Sequence, residues 1–254
     1  MTKIPEPPDY GYFTAHNIRL PDGTETLPGA RLTAETGICQ AALRDLALAF
    51  PHTTPWGRGM ITVADLGCLE GGHAAEFARH GYAVTGVEAR DENLACCALV
   101  CEALGLPNLK FCVADARDLP GLGYTFDAVF CAGLLYHLEN PGEFIRMLGQ
   151  QTRRVVIIHT LLSGSPTQVH EGNLGHWVDV PGLGSGQREA RWWGLGDRVF
   201  WMTKLSLVGA LRAAGFPLVF EQHDWLPADG SSYADEIREL APRDSAAMLV
   251  GIKP

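Results

Sequence analysis

The sequence has no Cys-x-x-Cys pair, although it contains 7 cysteines among 254 residues. Zinc ribbons and redox dithiols both require such pairs, so neither kind of site is encoded. Most of the cysteines lie in apolar stretches, where a thiol packs as a small hydrophobic group. Because the first residues also contain no signal-like stretch, the cysteine usage predicts a reducing, cytoplasmic location.

Long apolar runs and positive charge are also scarce. The longest apolar run, near Val155, has about eight residues, whereas a bilayer span needs about 20. The 20 Lys and Arg against 29 Asp and Glu give a formal net charge of −9. That balance weighs against nucleic acid and anionic membranes as partners, because cationic side chains bind both. With 46% hydrophobic residues, the composition predicts a globular chain and excludes a disordered or fibrous one.

Short apolar runs alternate with helical patterns from residue 61 onward. Runs that are apolar throughout are typical of a parallel sheet covered on both faces. Glycine and proline mark the helix ends, as at Gly81, Gly105 and Pro141. We expect strands at residues 61–65, 83–88, 109–113, 126–131, 155–158, 218–221 and 248–252. Residues 163–197 are glycine-rich and show little periodicity, which predicts an irregular lid or binding loop.

A glycine-rich turn, DLGCLEGG, joins the first strand to a helix at residues 65–72. Dinucleotide sites need G-x-G-x-x-G, in which glycines make room for a pyrophosphate. Here Leu69 replaces the second glycine, and Glu70 would place a negative charge beside the phosphates. S-adenosylmethionine (SAM) has no phosphate but has an ammonium, a carboxylate and a sulfonium, so Asp65 and the turn backbone suit it better. The turn therefore favours SAM and disfavours an NAD-dependent reductase.

Two further carboxylates follow the next strands. Glu88 ends the second strand, 21 residues after Gly67, where a carboxylate accepts hydrogen bonds from ribose hydroxyls. Asp115 follows the third strand, where it can meet the adenine amino group. With Asp65, three carboxylates lie at the carboxyl ends of successive strands, which is where open α/β sheets bind ligands.

Four segments resemble the successive motifs of class I SAM-dependent methyltransferases: VADLGCLEGG, VTGVEAR, CVADARDL and FDAVFCAGLLYHLENP. More narrowly, LLYHLENP, HNIRLPDGTETLPG and DRVFWMTKLSLVGALRAAGF resemble the carboxymethyltransferase-like branch that modifies the wobble uridine of tRNA. The resemblance implies an α/β, Rossmann-like, seven-stranded sheet that is mostly parallel with an antiparallel last strand and has helices on both faces. It implies SAM as the cofactor, and we predict that SAM is bound by Asp65, Gly67, Cys68, Leu69, Gly71, Glu88, Ala89, Asp115, Ala116 and Cys131.

We expect one domain, residues 1–254, in four parts. Residues 1–55 form a segment on the substrate side, and residues 56–162 form the SAM-binding core. Residues 163–200 form the lid-like insertion, and residues 201–254 form the closing helix and strands. The oligomeric state stays open and includes a homodimer.

A hydroxyl acceptor needs a general base, because the pKa of a hydroxyl lies far above seven. We predict His137, which follows the fourth strand, and His159, which follows the fifth, as catalytic residues. The alternatives are that His137 only ties loop backbone together and that His159 only packs. By the resemblance Tyr136 contacts the substrate or SAM. The predicted substrate-binding residues are Tyr136, His16, His170, Glu171, Trp177 and Trp201.

The insertion leaves several roles open. Residues His170, Glu171, His176 and Asp179 have side chains that ligate divalent metals, but their spacing matches no metal motif. The tryptophans of the insertion either line a pocket for sugars or aromatic compounds or form a small core over the sheet edge. The arginines either hold a phosphate or carboxylate or are solvated. The residues concerned are Trp177, Trp192, Trp193 and Trp201, and Arg188, Arg191 and Arg198.

The sequence favours a SAM-dependent O-methyltransferase with a histidine base. Its predicted acceptor is a hydroxyl of a small polar molecule, preferably a sugar or glycan intermediate, because the insertion is rich in His and Trp and the chain lacks a basic surface. A tRNA-modifying (carboxy)methyltransferase is the second hypothesis. The third is a catalytically silent SAM-binding protein.

Overall fold

The computed structural model describes residues 12–51, 60–179, 197–225 and 245–254. Its strands are β1 (Thr62–Leu66), β2 (Ala83–Glu88), β3 (Leu109–Val113), β4 (Phe126–Ala132), β5 (Thr152–Leu162), β6 (Gln168–His170), β7 (Asn173–Asp179), β8 (Arg198–Met202), β9 (Leu218–Gln222) and β10 (Ser245–Ile252). Its α-helices are α1 (Gly37–Ala49), α2 (Gly72–Arg79), α3 (Asp91–Leu104), α4 (Pro141–Gln151) and α5 (Lys204–Ala213).

Seven strands form the main sheet in the order β3-β2-β1-β4-β5-β10-β9. Strands β1 to β5 pair in parallel, and β10 runs antiparallel to both β5 and β9. This arrangement confirms the predicted mostly parallel sheet with an antiparallel last strand. The strand order reverses between β1 and β4, and in open α/β sheets ligands bind at the carboxyl ends of the strands beside such a reversal.

Both faces of the sheet are covered, and β5 shows how its sequence achieves this. Val155 and Ile157 pack into one apolar cluster with Phe77 of α2. Val156 and Ile158 pack into the other, which contains side chains of α4 and α5. Because successive strand residues point to opposite faces, a continuous apolar run fills two cores at once.

The helix ends follow the sequence signals. The Thr203 side chain accepts a hydrogen bond from Ser206 N–H and so caps α5. Pro141 lies in the first turn of α4, where its missing N–H costs nothing. Gly105 ends α3 at φ +57°, a left-handed conformation that favours glycine. No helix within the described ranges is long and apolar enough to cross a bilayer.

The insertion differs from its prediction, because β6, β7 and β8 form an antiparallel sheet where an irregular loop was expected. Glycine interrupts the alternation of apolar and polar residues that would otherwise indicate these strands. Gly175 has no alternative, since a Cβ there would lie 2.1 Å from the carbonyl oxygen of Trp201. Four of the side chains singled out in the insertion lie outside the described residues: Arg188, Arg191, Trp192 and Trp193.

Candidate functional site

The turn between β1 and α2 adopts left-handed backbone at three positions. Gly67, Leu69 and Gly71 have φ of +68°, +52° and +81°. A Cβ on Gly71 would lie 2.5 Å from Phe111 Cζ, so this position requires glycine on two counts. Leu69 takes the conformation that a glycine would adopt without strain. The turn therefore keeps a glycine-type path although its middle residue is leucine.

Asp65 lies on β1 directly before this turn and is buried. Burial raises its pKa to about 7, against the hydrogen bond that it accepts from Ala74 N–H. Among the residues that the structure describes, none hydrogen-bonds its Oδ2 atom. A buried carboxylate oxygen without a partner fits a cationic ligand group such as the ammonium of SAM.

Glu88 connects the end of β2 to the turn. Its Oε2 accepts a 3.0 Å hydrogen bond from Leu69 N–H. Its Oε1 accepts from the N–H groups of Ala89 and Arg90, each at 2.9 Å. Each carboxylate oxygen has a second lone pair, so the same side chain can also accept from ribose hydroxyls.

Asp115 is only partly buried and is engaged by Arg117. The Arg117 Nε atom lies 2.9 Å from Oδ1, and Nη2 lies 2.5 Å from Oδ2. These hydrogen bonds lower the pKa of Asp115 below its ordinary value. An adenine amino group would therefore share this carboxylate with Arg117. The next residue, Ala116, is buried.

The cysteines predicted to line the cofactor site are buried thiols. Burial raises the pKa of Cys68 well above its ordinary value and that of Cys131 to about 12. The Cys97 thiol donates a 3.1 Å hydrogen bond to the Leu69 carbonyl. These side chains thus act here by packing and hydrogen bonding, not as thiolates.

His137 lies in a short 3₁₀ turn, Leu135–His137, that follows β4. Its half-buried ring contacts the ring of Tyr136, with centroids 4.2 Å apart. Trp201 of β8 donates an indole hydrogen bond of 3.0 Å to the Tyr136 carbonyl. Burial, with the positive charge of Arg90, lowers the pKa of His137 to about 4, so the ring is neutral at pH 7.

The other predicted base, His159, lies on the opposite face of β5 from Ile158. It is 1% exposed, and its ring meets the edge of Trp225 at 4.7 Å. Burial lowers its pKa to about 4, and His73 adds to this shift. The two candidate bases therefore differ in exposure and in neighbours: His137 is half-buried beside Tyr136, whereas His159 is fully buried beside Trp225.

His16 comes from the N-terminal segment and reaches the start of α2. Its Nδ1 accepts a 3.0 Å hydrogen bond from Gly72 N–H. Its ring stands edge-on to His73, with centroids 5.0 Å apart. The structure therefore brings His16 to the cofactor turn, as the prediction of a site role requires.

The predicted residues of the insertion gather at the start of α4 instead. Glu171 accepts hydrogen bonds from the N–H groups of Gly142 and Glu143, at 2.8 and 2.7 Å. His170 Nε2 lies 2.8 Å from Asn140 Oδ1. Trp177 is covered by the Arg198 guanidinium at 3.8 Å. Within the described ranges, no three His, Cys, Asp or Glu side chains are arranged to hold a metal ion.

Glu70 is the site residue whose role the sequence did not reveal. Its fully buried carboxylate accepts hydrogen bonds from the N–H groups of Thr14, Ala15 and His16 and from the Thr14 hydroxyl, at 2.6 to 3.0 Å. Glu70 therefore points away from the turn's concave side and fastens the N-terminal segment to it.

Comparisons with known proteins agree with this geometry. Residues 63–156 match the family model of a methyltransferase domain. The N-terminal domain of EvdMO1, solved with S-adenosylhomocysteine (SAH) bound, is 26% identical over 87% of this chain and 82% of that chain, with a TM-score of 0.67. The ubiquinone biosynthesis O-methyltransferase of Caulobacter vibrioides is 33% identical over 87 residues, 34% of each protein. The tRNA U34 carboxymethyltransferase of Desulfotalea psychrophila is 33% identical over 85 residues, 33% of this chain and 27% of that protein.

The sheet, the turn and these matches define the class. Residues 63–156 form a methyltransferase domain, and the similar structure solved with SAH bound supports SAM as its cofactor. The chain spans about a third of the length of the curated relatives that it matches.

Proposed function

We propose that this chain is an O-methyltransferase that methylates a hydroxyl of a small polar substrate, preferably a sugar or glycan intermediate. The observation that carries the proposal is the neutral, half-buried imidazole of His137 directly after β4. A neutral imidazole at the carboxyl end of the sheet can accept the hydroxyl proton as the oxygen attacks. His159 is the second candidate base.

Three carboxylates would hold the cofactor within residues 56–162. Asp65 would bind its amino group, Glu88 its ribose hydroxyls and Asp115 its adenine amino group. Bound SAM supplies a methyl group on a sulfonium. That sulfonium would supply the methyl group to the acceptor oxygen and leave as SAH, and the histidine would take the hydroxyl proton. Since the displacement is in line, positioning accounts for much of the rate.

Two observations support a sugar as the acceptor. The N-terminal domain of EvdMO1 was also solved in the presence of SAH and D-fucose, and it is 26% identical over 92% of this chain and 88% of that chain, with a TM-score of 0.69. Tyr136, which follows β4, and Trp201 of β8 lie together, with ring centroids 6.4 Å apart. Aromatic rings of this kind pack against the apolar faces of sugar rings.

A tRNA-modifying activity is the second candidate. The match to the tRNA U34 carboxymethyltransferase supports it. The formal net charge of −9 opposes it, because tRNA binding depends on cationic side chains that neutralise phosphates.

The test measures SAH binding by calorimetry and then the transfer of labelled methyl groups from SAM to D-fucose, to a sugar panel and to bulk tRNA. We expect sugar methylation that falls about 10²- to 10⁴-fold in His137→Ala, with His80→Ala, an exposed histidine at the end of α2, as the control. Methylation of tRNA alone would establish the second candidate. SAH binding without any acceptor would favour a silent SAM-binding protein. If only His159→Ala lost turnover, His159 would be the base.

A further inference from the structure

His73 is a histidine of the cofactor region that the proposed mechanism does not use. It lies in the first turn of α2, two residues after Gly71 of the turn. Its ring contacts the edge of His16 at 5.0 Å and is tilted against Phe130 at 5.2 Å. It thus bridges the N-terminal segment and β4 at the carboxyl end of the sheet.

The position of His73 relative to Asp65 places it beside the expected methyl donor. Phe130, on which the His73 ring packs, pairs with Asp65 in the register of β4 and β1. Asp65 in turn accepts a hydrogen bond from the N–H of Ala74, the neighbour of His73. A carboxylate that binds the amino group of SAM therefore has His73 next to it, on the side of β4.

The polar atoms of this pair of rings are available to a ligand. His16 accepts with Nδ1, so the proton of its neutral ring is on Nε2, which is a donor. Over the part of the chain that the structure describes, the His73 ring has aromatic contacts but no hydrogen-bond partner. Both residues are half-buried.

The charge state of the His16 and His73 rings suits an uncharged ligand. Burial lowers the pKa of His16 to about 4 and that of His73 well below its ordinary value, so both rings are neutral at pH 7. A phosphate or carboxylate on the ligand would find no positive charge on these two rings.

We propose that His73 and His16 form one wall of the acceptor pocket and hydrogen-bond the hydroxyl groups of an uncharged sugar, which makes His73 a substrate-binding residue. The inference rests on the proposed function and adds the charge class of the acceptor. A neutral imidazole both donates and accepts, so a pair of them matches adjacent hydroxyls. Anionic sugars are excluded by the cost of burying their charge without a partner.

The experiment compares three probes with the same ring stereochemistry. D-fucose is uncharged, whereas D-galacturonic acid and D-galactose 6-phosphate carry an anion at carbon 6. Methyl transfer from SAM to each is measured with the unmodified chain and with three variants: His73→Ala, His73→Gln and, as the matched control on the same helix, His80→Ala. Calorimetry gives the Kd of SAH for every variant, and thermal unfolding gives its Tm.

We expect D-fucose to be preferred over both anionic sugars by about tenfold or more in kcat/KM. His73→Ala raises KM for D-fucose about tenfold and leaves the Kd of SAH within about twofold, because one sugar hydrogen bond is lost and the cofactor contacts remain. His73→Gln recovers part of the loss, since an amide also donates and accepts. His80→Ala matches the unmodified chain.

Three kinds of result overturn the inference, and they can be distinguished. If D-fucose is methylated but His73→Ala keeps its KM, or if an anionic sugar is the better acceptor, the assignment of His73 fails while the proposed function stands. If SAH binds and no sugar is methylated, the proposed function fails and the inference fails with it. A fall in Tm that accompanies equal losses for SAH and sugar would assign His73 a structural role.

Discussion

The backbone N–H of Gly72 donates a 3.0 Å hydrogen bond to the Nδ1 atom of His16, 56 residues earlier in the chain. A Cβ on Gly72 would lie 2.7 Å from the His16 Cγ atom, so only glycine lets the ring approach this closely. The start of α2 and the N-terminal segment are therefore fitted to each other. The consequences of that fit can be measured.

Gly72→Ala is expected to displace His16. The new methyl group overlaps the imidazole, and relieving such an overlap costs about 1–3 kcal/mol of unfolding free energy. Denaturant unfolding measures the loss, and sugar KM should rise, because His16 is displaced from the position proposed for sugar binding. Gly209→Ala is the matched control, because Gly209 lies within α5 with no atom within 4 Å of an added Cβ. A Gly72→Ala chain as stable as the control would contradict the fit.

Glu70→Gln should loosen the N-terminal segment. The carboxylate accepts four hydrogen bonds from residues 14–16, whereas an amide has one acceptor oxygen and turns its NH₂ toward buried donors. We expect the free energy of unfolding to fall by about 1–3 kcal/mol and proteolysis near residue 14 to be faster. Glu102→Gln, an exposed position on α3, should change stability by less than about 0.5 kcal/mol. Unchanged proteolysis in the Glu70 variant would show that these bonds do not hold the segment.

Asp65 should make SAH binding depend on pH. Burial raises its pKa to about 7. Below pH 7 the Asp65 carboxyl is therefore mostly protonated, and it must lose that proton to pair with the ammonium of SAH. Affinity should therefore rise between about pH 5.5 and 7.5 and then level off, with protons released on binding at the lower pH. Calorimetry in buffers of different ionisation enthalpy measures both.

Two variants isolate that effect. Asp65→Asn should bind SAH at least about tenfold more weakly and without the pH dependence. Asp45→Asn is the control, because burial also raises the pKa of Asp45, to about 6, but its carboxylate hydrogen-bonds Gln222 far along the chain. Both raised pKa values lower the free energy of unfolding as pH rises from about 4 through the folded pKa, since the folded chain holds the proton more tightly. A pH dependence that survives in Asp65→Asn would assign it to another group.

Glu171→Gln tests whether Glu171 caps α4 or binds substrate. Its carboxylate accepts hydrogen bonds from the N–H groups of Gly142 and Glu143 at the N-terminus of that helix, which is the positive end of the helix dipole. Capping predicts a loss of about 1 kcal/mol of stability with sugar KM unchanged. The control is Glu139→Gln, which is exposed and precedes the same helix. A raised KM at unchanged stability would support the substrate-binding prediction instead.

The parts that sequence could predict are those set by local pattern. Asp65 and Glu88 are predicted to lie together because the carboxyl ends of neighbouring parallel strands share one edge, and in the structure the charge of Glu88 helps to raise the pKa of Asp65. The antiparallel last strand followed from the family resemblance. The cofactor class followed from Leu69 in the turn, from the carboxylates at the strand ends and from the family resemblance.

The parts that sequence could not predict depend on contacts between distant residues. Glu70 was read only as a charge beside a phosphate, because nothing local shows that residues 14–16 supply its donors. Glu171 was assigned to the substrate, since a carboxylate in a loop gives no sign of the helix start 29 residues earlier that it caps. The strands of the insertion escaped notice because Gly175 breaks the alternation that marks a strand.

Strand β10 has one more consequence, which concerns the order of folding. It lies between β5 and β9 and pairs with β5 along eight residues, Ser245 to Ile252. Until residue 252 has been synthesised, the edge of β5 that pairs with β10 stays open along the apolar residues Val155 to Ile158, and β9 has no other neighbour among the described strands. Such an apolar edge recruits strands from other chains. A nascent chain, or one cut before residue 245, should therefore aggregate more readily than the finished protein.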